Sequence, residues 1–371
     1  MQKLSVLIIG GGIGGLTSAI ALGQRGFAVD VIEKDPNWSV YGVGIIQQAN
    51  VIRAVAALGV IDDYIEAGYG YEFVEIYKPD GELAAKVPVT RLVEKYPGQI
   101  GISRPALQKV LADRAEAEGA KIRLGVVVEK LEDSEDGVSV EFSDGTSGQY
   151  DVVVGADGVS SQMRDLLFPG AKKPEFAGQA VWRYNLRRPK DLVNMRAYEG
   201  RMGVGLVPLS NDLVYMYLTT PEPDNPRYPR EGLAEAMRGK LKDAPPGIAE
   251  LVDQITDDDE VVYRPLAWHF LEGDWYKGHV MLIGDAAHGT TPHLGQGAGM
   301  AIEDSLVLAE ELDRADSVAD AFAAFQERRY ERCKYIVDSS VAICMGQIGK
   351  GPLVNYPKAT ADMIAATSEP L

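Results

Sequence analysis

Backbone amides and one carboxylate, more than any side-chain triad, are the chemically active groups that this sequence sets out. The run Gly10-Gly11-Gly12-Ile13-Gly14-Gly15 has the spacing that permits a tight turn, close approach of backbone to a pyrophosphate, and close packing of a helix on a strand. About 270 residues later, an apolar run (Val280–Ile283) enters Gly284-Asp285-Ala286-Ala287-His288-Gly289-Thr290-Thr291-Pro292-His293-Leu294-Gly295-Gln296-Gly297, and a helical pattern follows from Ala298 to Leu312. That second loop aims the N–H groups of a helix N-terminus, together with the Asp285 carboxylate, at another point along an extended cofactor. Donors of this kind hold and tune electron-rich cofactor rings. A pyrophosphate site joined to such a second site points to a flavin.

The elements that must position these groups are legible around them. Ser5–Ile9 reads as a buried parallel strand, Leu16–Leu22 as a helix packed on the sheet, and Phe27–Ile32 as the next strand. This is the strand–turn–helix–strand context that the glycine spacing requires. Gly10, Gly12, Ile13, Gly14 and Gly15 are the expected pyrophosphate contacts. Glu33, with Lys34 after it, closes the second strand. An acid there is expected to accept hydrogen bonds from the adenosine ribose. It suits an unphosphorylated 2′-hydroxyl, hence FAD or NAD rather than NADP at this site.

The chain of 371 residues is long enough for two domains or one large α/β unit. A net charge of −17 argues against nucleic acid or an anionic membrane as a partner and reads as a solvated acidic surface. The apolar stretch over residues 5–23 could be taken for a signal or membrane segment, but its five motif glycines assign it to the cofactor site. Cys333 and Cys344 form neither a CxxC nor a metal spacing, and His269, His279, His288 and His293 make no zinc pattern. No metal site is expected. The cytoplasm is the expected compartment, and a homodimer is left open.

The expected fold class is α/β. A discontinuous Rossmann-like FAD-binding domain of the glutathione-reductase-2 type is assembled from residues 1–70, 100–172 and 276–350. Alternating segments (Tyr71–Tyr77, Ala180–Leu186, Met202–Val207 and Leu213–Leu218) read as strands of one antiparallel sheet. They fall within a substrate domain of residues 71–99 and 173–275, whose sheet roofs the reacting end of the cofactor. Residues 222–230 read as a proline-rich loop, with helices at 231–241, 247–255 and 318 to about 345. Residues 351–371 read as a weakly patterned tail lying loosely on the surface.

A third motif, Gly155-Ala156-Asp157-Gly158-Val159-Ser160-Ser161-Gln162-Met163-Arg164, follows the apolar strand Tyr150–Val154. With it the chain resembles the single-component flavoprotein aromatic hydroxylases that share the para-hydroxybenzoate hydroxylase fold. The three signatures occur in that family's order, the last ending at Glu303-Asp304, and span about three quarters of the chain. Ser103-Arg104-Pro105-Ala106-Leu107-Gln108 and Gly42-Val43-Gly44-Ile45 add a weaker fourth element and a flavin-flanking loop. The branches of urate, salicylate and hydroxynicotinate hydroxylases look nearest.

The resemblance implies noncovalent FAD, transient reduction by NADH or NADPH, and hydroxylation by O2 of a small oxygenated aromatic or N-heteroaromatic ring through a flavin C4a-hydroperoxide. It implies that Asp285 binds the ribityl hydroxyls, Pro292 lies beside the isoalloxazine, and Gly295, Gly297 and Ala298 face its pyrimidine side. Gly44 is expected to flank the flavin and Arg104 to lie near its ribityl and pyrophosphate groups. Asp157 and Arg164 are expected to support the flavin and the nicotinamide site, or else to cap a strand end.

Electrophilic oxygen transfer needs an electron-rich ring, so a group that removes or shares a ring proton is worth roughly 10²–10⁴-fold. His293, next to Pro292, is the expected catalytic base; the alternative is that it only bonds its own loop. His288 is expected to pack under the loop. Arg201, Tyr215 and Tyr217 are the expected substrate contacts from the roof strands, with Arg183 as a further candidate and Trp268 and His269 on the far wall. Tyr215 and Tyr217 share a face, so they enter the pocket together or serve as sheet packing together. No second dinucleotide fingerprint distinguishes NADH from NADPH. Two other functions share the cofactor motifs: a flavin-dependent reductase or dehydrogenase of an alkene or prenyl lipid, and a non-catalytic flavin-binding protein.

Overall fold

The computed structural model describes residues 4–200 and 203–371. The chain begins with β1 (Ser5–Ile9), α1 (Ile13–Gly23) and β2 (Ala28–Glu33). It continues through β3 (Gly44–Gln47), α2 (Ala49–Ala57), α3 (Ile61–Ala67), β4 (Gly68–Tyr71), β5 (Phe73–Tyr77), β6 (Leu83–Pro88), β7 (Gln99–Ser103) and α4 (Arg104–Ala117). Next come β8 (Lys121–Leu124), β9 (Val128–Ser134), β10 (Gly137–Phe142), β11 (Ser147–Tyr150), β12 (Val152–Gly155) and α5 (Gln162–Leu167). β13 (Glu175–Arg187), β14 (Met195–Tyr198), β15 (Val204–Pro208) and β16 (Leu213–Pro221) precede α6 (Leu233–Lys240), α7 (Pro246–Val252) and β17 (Val262–Trp268). The last elements are β18 (Tyr276–Lys277), β19 (Val280–Leu282), α8 (Asp285–His288), a 3-10 turn (Pro292–Leu294), α9 (Gly297–Arg314), α10 (Val318–Gln347) and α11 (Tyr356–Ser368).

Six strands in the order β18-β19-β12-β1-β2-β8 make the first sheet. All its pairs are parallel except β18–β19. All four residues of β12 are buried, as expected of a parallel strand covered on both faces. α1 packs between α9 and α4, and its Thr17 hydroxyl lies 2.6 Å from Ser305 of α9. The first and last motifs are thereby fastened to one another across the length of the chain.

A seven-stranded sheet, β17-β13-β16-β15-β14-β5-β6, holds the strands expected to form the roof. Strand alternation divides its two faces. Trp182, Tyr184, Leu206, Met216 and Leu218 pack against Met237 of α6 and Ile248 of α7. Val181 and Tyr217 on the other face meet Cys344 of α10, while Val207 and Tyr215 meet Val43 of the loop before β3. One pair departs from the antiparallel pattern: β14 and β5 are parallel. The expected strand Tyr71–Tyr77 is divided, because Tyr71 ends β4 in the small β3-β7-β4 sheet and β5 restarts at Phe73 in the roof. The C-terminal residues, expected to lie loosely, form α11 and dock on the body of the protein. No helix among the described residues is long and apolar enough to cross a membrane.

Candidate cofactor and substrate site

At the end of β1 the backbone turns at Gly10, whose φ of +114° lies in the glycine-favoured region. A Cβ on Gly15 would stand 1.9 Å from the Gly10 carbonyl, so helix and strand approach as closely as the spacing implied. Nothing lies within 4 Å of a Cβ at Gly12, and no side chain caps α1. The amides of its first turn therefore open onto free space, the arrangement that receives an anion. Glu33 sits beside them. Its two oxygens accept from Gly11 N (2.8 Å) and Asp35 N (2.9 Å), and each keeps lone-pair capacity. Lys34 is exposed. Trp38, at φ +49°, donates from Nε1 to the Gly11 carbonyl at 2.8 Å; nothing in the glycine pattern announced it.

The second loop is built on a buried ionic frame. Asp304 Oδ2 accepts from Gly284 N at 2.9 Å and pairs with His288 Nε2 at 2.8 Å. His288 is fully buried, as expected. Asp285, the next residue after Gly284, is exposed by area, yet burial pushes its carboxyl above the ordinary range. Its Oδ1 lies 4.0 Å from where a Cβ on Gly297 would stand, so the carboxylate sits at the start of α9. Pro292, Gly297 and Ala298 also open there. Gly295, at φ +66°, lets the loop turn into α9. Gln48 Nε2 donates to the Leu294 carbonyl at 3.1 Å. Gln296 bonds Gln48 and Asn50, and Asn50 donates to Glu303. Arg104 Nη1 donates to the Gly44 carbonyl at 2.5 Å. Burial, and then the neighbouring Arg183 charge, push its guanidinium down to about 10.

Asp157 Oδ2 accepts from Gln162 N (2.8 Å) and Met163 N (3.0 Å) at the start of α5, while its Oδ1 is buried without a partner. Arg164 is almost wholly buried and donates to the carbonyls of Ala286 (3.1 Å) and Val159 (3.0 Å). It holds the Asp285 loop from behind. His269 shares this pocket, 3.2 Å from Arg164 Nη1 and 3.1 Å from the Ala286 carbonyl. Burial and the Arg164 charge push it down to about 4. Trp268 packs with Val181 and Tyr217, its indole N–H unpartnered.

The roof supplies Tyr215, Tyr217 and Arg183. Arg201 lies outside the described residues. Arg183 Nε donates to Tyr215 Oη at 3.0 Å, and the two tyrosine rings are 6.0 Å apart. Burial raises the Tyr217 phenol. Tyr217 lies flat over Gly205, its register partner on β15. A Cβ on Gly205 would stand 2.5 Å from the phenol oxygen. Gly205→Ala is therefore expected to swing Tyr217 from its seat and raise the apparent substrate constant by about tenfold, with FAD affinity held; a tenfold effect is roughly 1.4 kcal/mol. An unchanged substrate constant would show that Tyr217 is sheet packing only.

His293 is buried, with both ring nitrogens engaged by the protein. Its Nδ1 lies 3.0 Å from Thr291 Oγ1, and its Nε2 lies 3.0 Å from Gln179 Oε1 and 3.1 Å from Gln347 Oε1. Burial pushes it down to about 4. A histidine so lowered stabilises the fold fully above its unfolded value near 6.5 and loses that contribution as pH falls toward 4. Thermal stability is expected to fall across that window, and His293→Gln to flatten part of the fall, by up to about 3 kcal/mol. Parallel pH profiles of the two proteins would contradict this placement of the imidazole.

The chain is similar to known flavoproteins over most of its length. A profile described as FAD binding domain matches residues 3–338. Aurachin C monooxygenase/isomerase of Stigmatella aurantiaca is 32% identical over 354 residues, covering 94% of this chain and 90% of the relative. The 6-hydroxynicotinate 3-monooxygenase of Pseudomonas fluorescens is 28% identical, covering 90% of each chain. Among solved structures, Klebsiella pneumoniae HpxO complexed with FAD and uric acid superposes with a TM-score of 0.85 at 25% identity, over 99% of this chain and 93% of that one. The residues present fit FAD on their own evidence. Open amides at Gly12, the deep Asp285 carboxylate, and the unpartnered buried atoms of Asp157, Gln47 and Thr290 all await polar contacts.

Proposed function

The chain belongs to the single-component, FAD-dependent aromatic hydroxylase family, and on that premise we propose which ring it takes and how its side chains share the work. It is an FAD-dependent monooxygenase that draws on NAD(P)H and O2. Its relatives are monooxygenases, so the reductase and flavin-carrier readings are set aside. When bound, FAD supplies electron storage and oxygen transfer.

Residues 1–70, 100–172 and 276–350 are the proposed cofactor domain, and 71–99 and 173–275 the proposed substrate domain. Gly10 to Gly15 and Glu33 hold the adenosine and pyrophosphate. Asp285 takes the ribityl chain, Arg104 and Gly44 line its flank, and Pro292 with Gly295, Gly297 and Ala298 borders the ring. Arg164 holds the Asp285 loop in place, and Asp157 caps the start of α5 with one oxygen left for the flavin side.

The substrate is a small aromatic or N-heteroaromatic ring carrying an acidic O–H, N–H or carboxyl group. The observation that carries this is the Arg183–Tyr215 pair on the roof face that also bears Tyr217. Arg183 has no carboxylate partner among the described residues, and its charge already acts on Arg104. Two guanidiniums without a counter-charge favour an anion between them. Tyr217 and Tyr215 then orient the ring oxygen. His293 has both nitrogens engaged, so its role is to hold the Pro292 turn, and ring activation comes from Arg183 stabilising the substrate's own anion.

Two buried free cysteines suit a reducing compartment, and we place the enzyme in the cytoplasm. The charge of −17 opposes nucleic acid and anionic membranes as partners. A panel of salicylate, urate, 6-hydroxynicotinate and their neutral methylated analogues tests the substrate reading through stimulated NAD(P)H oxidation. Stimulation by acidic rings and not by their neutral analogues is expected. Equal stimulation by both sets would overturn it.

A further inference from the structure

Tyr356 opens α11, in the part of the sequence with the weakest pattern. α10 ends at Gln347 and the chain reverses tightly, with Gly346 so close to the Pro352 carbonyl that a Cβ would stand 2.6 Å from it. Asn355 then caps the new helix, its Oδ1 accepting from Lys358 N at 3.0 Å, and Pro357 occupies the first turn. This start places the Tyr356 ring over the 3-10 turn, where its Oη donates to the His293 carbonyl at 2.9 Å. His293 directly follows Pro292, so the bond fixes the turn that borders the isoalloxazine position.

Tyr356 is 49% exposed. Burial nonetheless raises its phenol. The His293 ring meets Gln179 of β13 at 3.0 Å, so the start of α11 stands where the Pro292 turn meets the seven-stranded sheet. The rest of α11 is pinned beside the same loop. Met363 packs with Leu294 and Ile343, and its sulfur lies 3.4 Å from Gln296 Nε2. Arg53 donates to the carbonyls of Thr367, Ser368 and Glu369, and Arg332 to those of Glu369 and Pro370. Three independent attachments, at the turn, at Met363 and at the terminal carbonyls, hold the helix in one place.

We propose that α11 is a wall of the substrate chamber and that Tyr356 is its positioning residue, setting the size of ring admitted and the seat of the Pro292 turn. The chamber's use rests on the monooxygenase reading; the wall itself does not. Without the ring, the chamber opens toward solvent beside the flavin. Without only the hydroxyl, the chamber stays closed but the turn loses its tie to α11.

The experiment uses FAD-loaded wild type, Tyr356→Leu and Tyr356→Phe. Acrylamide quenching of flavin fluorescence reports access to the chamber and needs no substrate. A several-fold larger quenching constant is expected for Tyr356→Leu, with a near-wild-type value for Tyr356→Phe. Melting temperature and FAD affinity should match wild type in both. With a panel substrate, Tyr356→Leu should raise KM several-fold and accept a larger ring, whereas Tyr356→Phe should leave KM alone and release more hydrogen peroxide per NAD(P)H. Wild-type quenching in Tyr356→Leu overturns the wall. Melting or FAD affinity shifting while quenching, KM and coupling stay constant reduces Tyr356 to a structural contact, which also overturns it. Wild type that consumes no oxygen with any panel compound would instead sink the monooxygenase reading and leave the quenching result to decide the wall.

Discussion

Asp285→Ala is expected to weaken FAD binding by about 10- to 100-fold, because a charge-assisted hydrogen bond to a ribityl hydroxyl contributes roughly 1.5–3 kcal/mol. The carboxylate sits at the start of α9, and burial already disfavours its charged form. A hydroxyl donor is what restores the balance there. Gly284 N is held by Asp304 and not by Asp285, so truncating Asp285 removes a ligand contact without unfastening the loop. Asp285→Asn should recover part of the loss. Titration of apoprotein with FAD measures it. Affinity within twofold of wild type would assign Asp285 to the start of α8 alone.

Arg329→Met is expected to destabilise the fold by about 3–5 kcal/mol, the usual consequence of leaving a buried charge without its partner. Arg329 is fully buried and joins Glu303 (2.9 Å) and Asp304 (2.8 Å) of α9 to α10. Burial alone would raise the Asp304 carboxyl, but the His288 and Arg329 charges hold it down at about 2. Removing Arg329 strands two carboxylates in the core. Asp304 also holds the Gly284 amide, so the flavin loop should loosen as well. Denaturant unfolding of the apoprotein reads the first effect and FAD titration the second. A loss below about 1 kcal/mol would mean that His288 and Arg332 suffice to neutralise the pair.

The cofactor half was legible because its constraints are local. Gly10 and Gly15 are close in sequence and must touch in space, and the order of apolar run, glycines and acid carries the whole turn. The roof strands were legible through alternation, since one face meets α6 and α7 and the other the cleft. What sequence could not show were orientations decided by distant partners. His293 stands on the expected loop, but Gln179 and Gln347, 114 and 54 residues away, turn its ring inward. The parallel junction of β14 with β5 joins strands more than a hundred residues apart, and alternation carries no information on direction. Trp38 and Tyr356 were missed because each acts through one hydrogen bond to a remote backbone carbonyl. A single bond of that kind leaves no periodic trace. Arg183, weighed only as a secondary candidate, donates to Tyr215, a partnership that strand alternation alone does not announce.

An enzyme that places one oxygen atom from O2 on an acidic aromatic ring must carry that atom from the gas into the product. Turnover under oxygen-18 gas, with NAD(P)H and the best stimulating ring from the panel, tests it most directly. Mass analysis of the product should show one oxygen-18 atom in the ring hydroxyl, with one NAD(P)H consumed for each product formed. Product carrying oxygen from water, or ring reduction with no uptake of O2, would contradict the account.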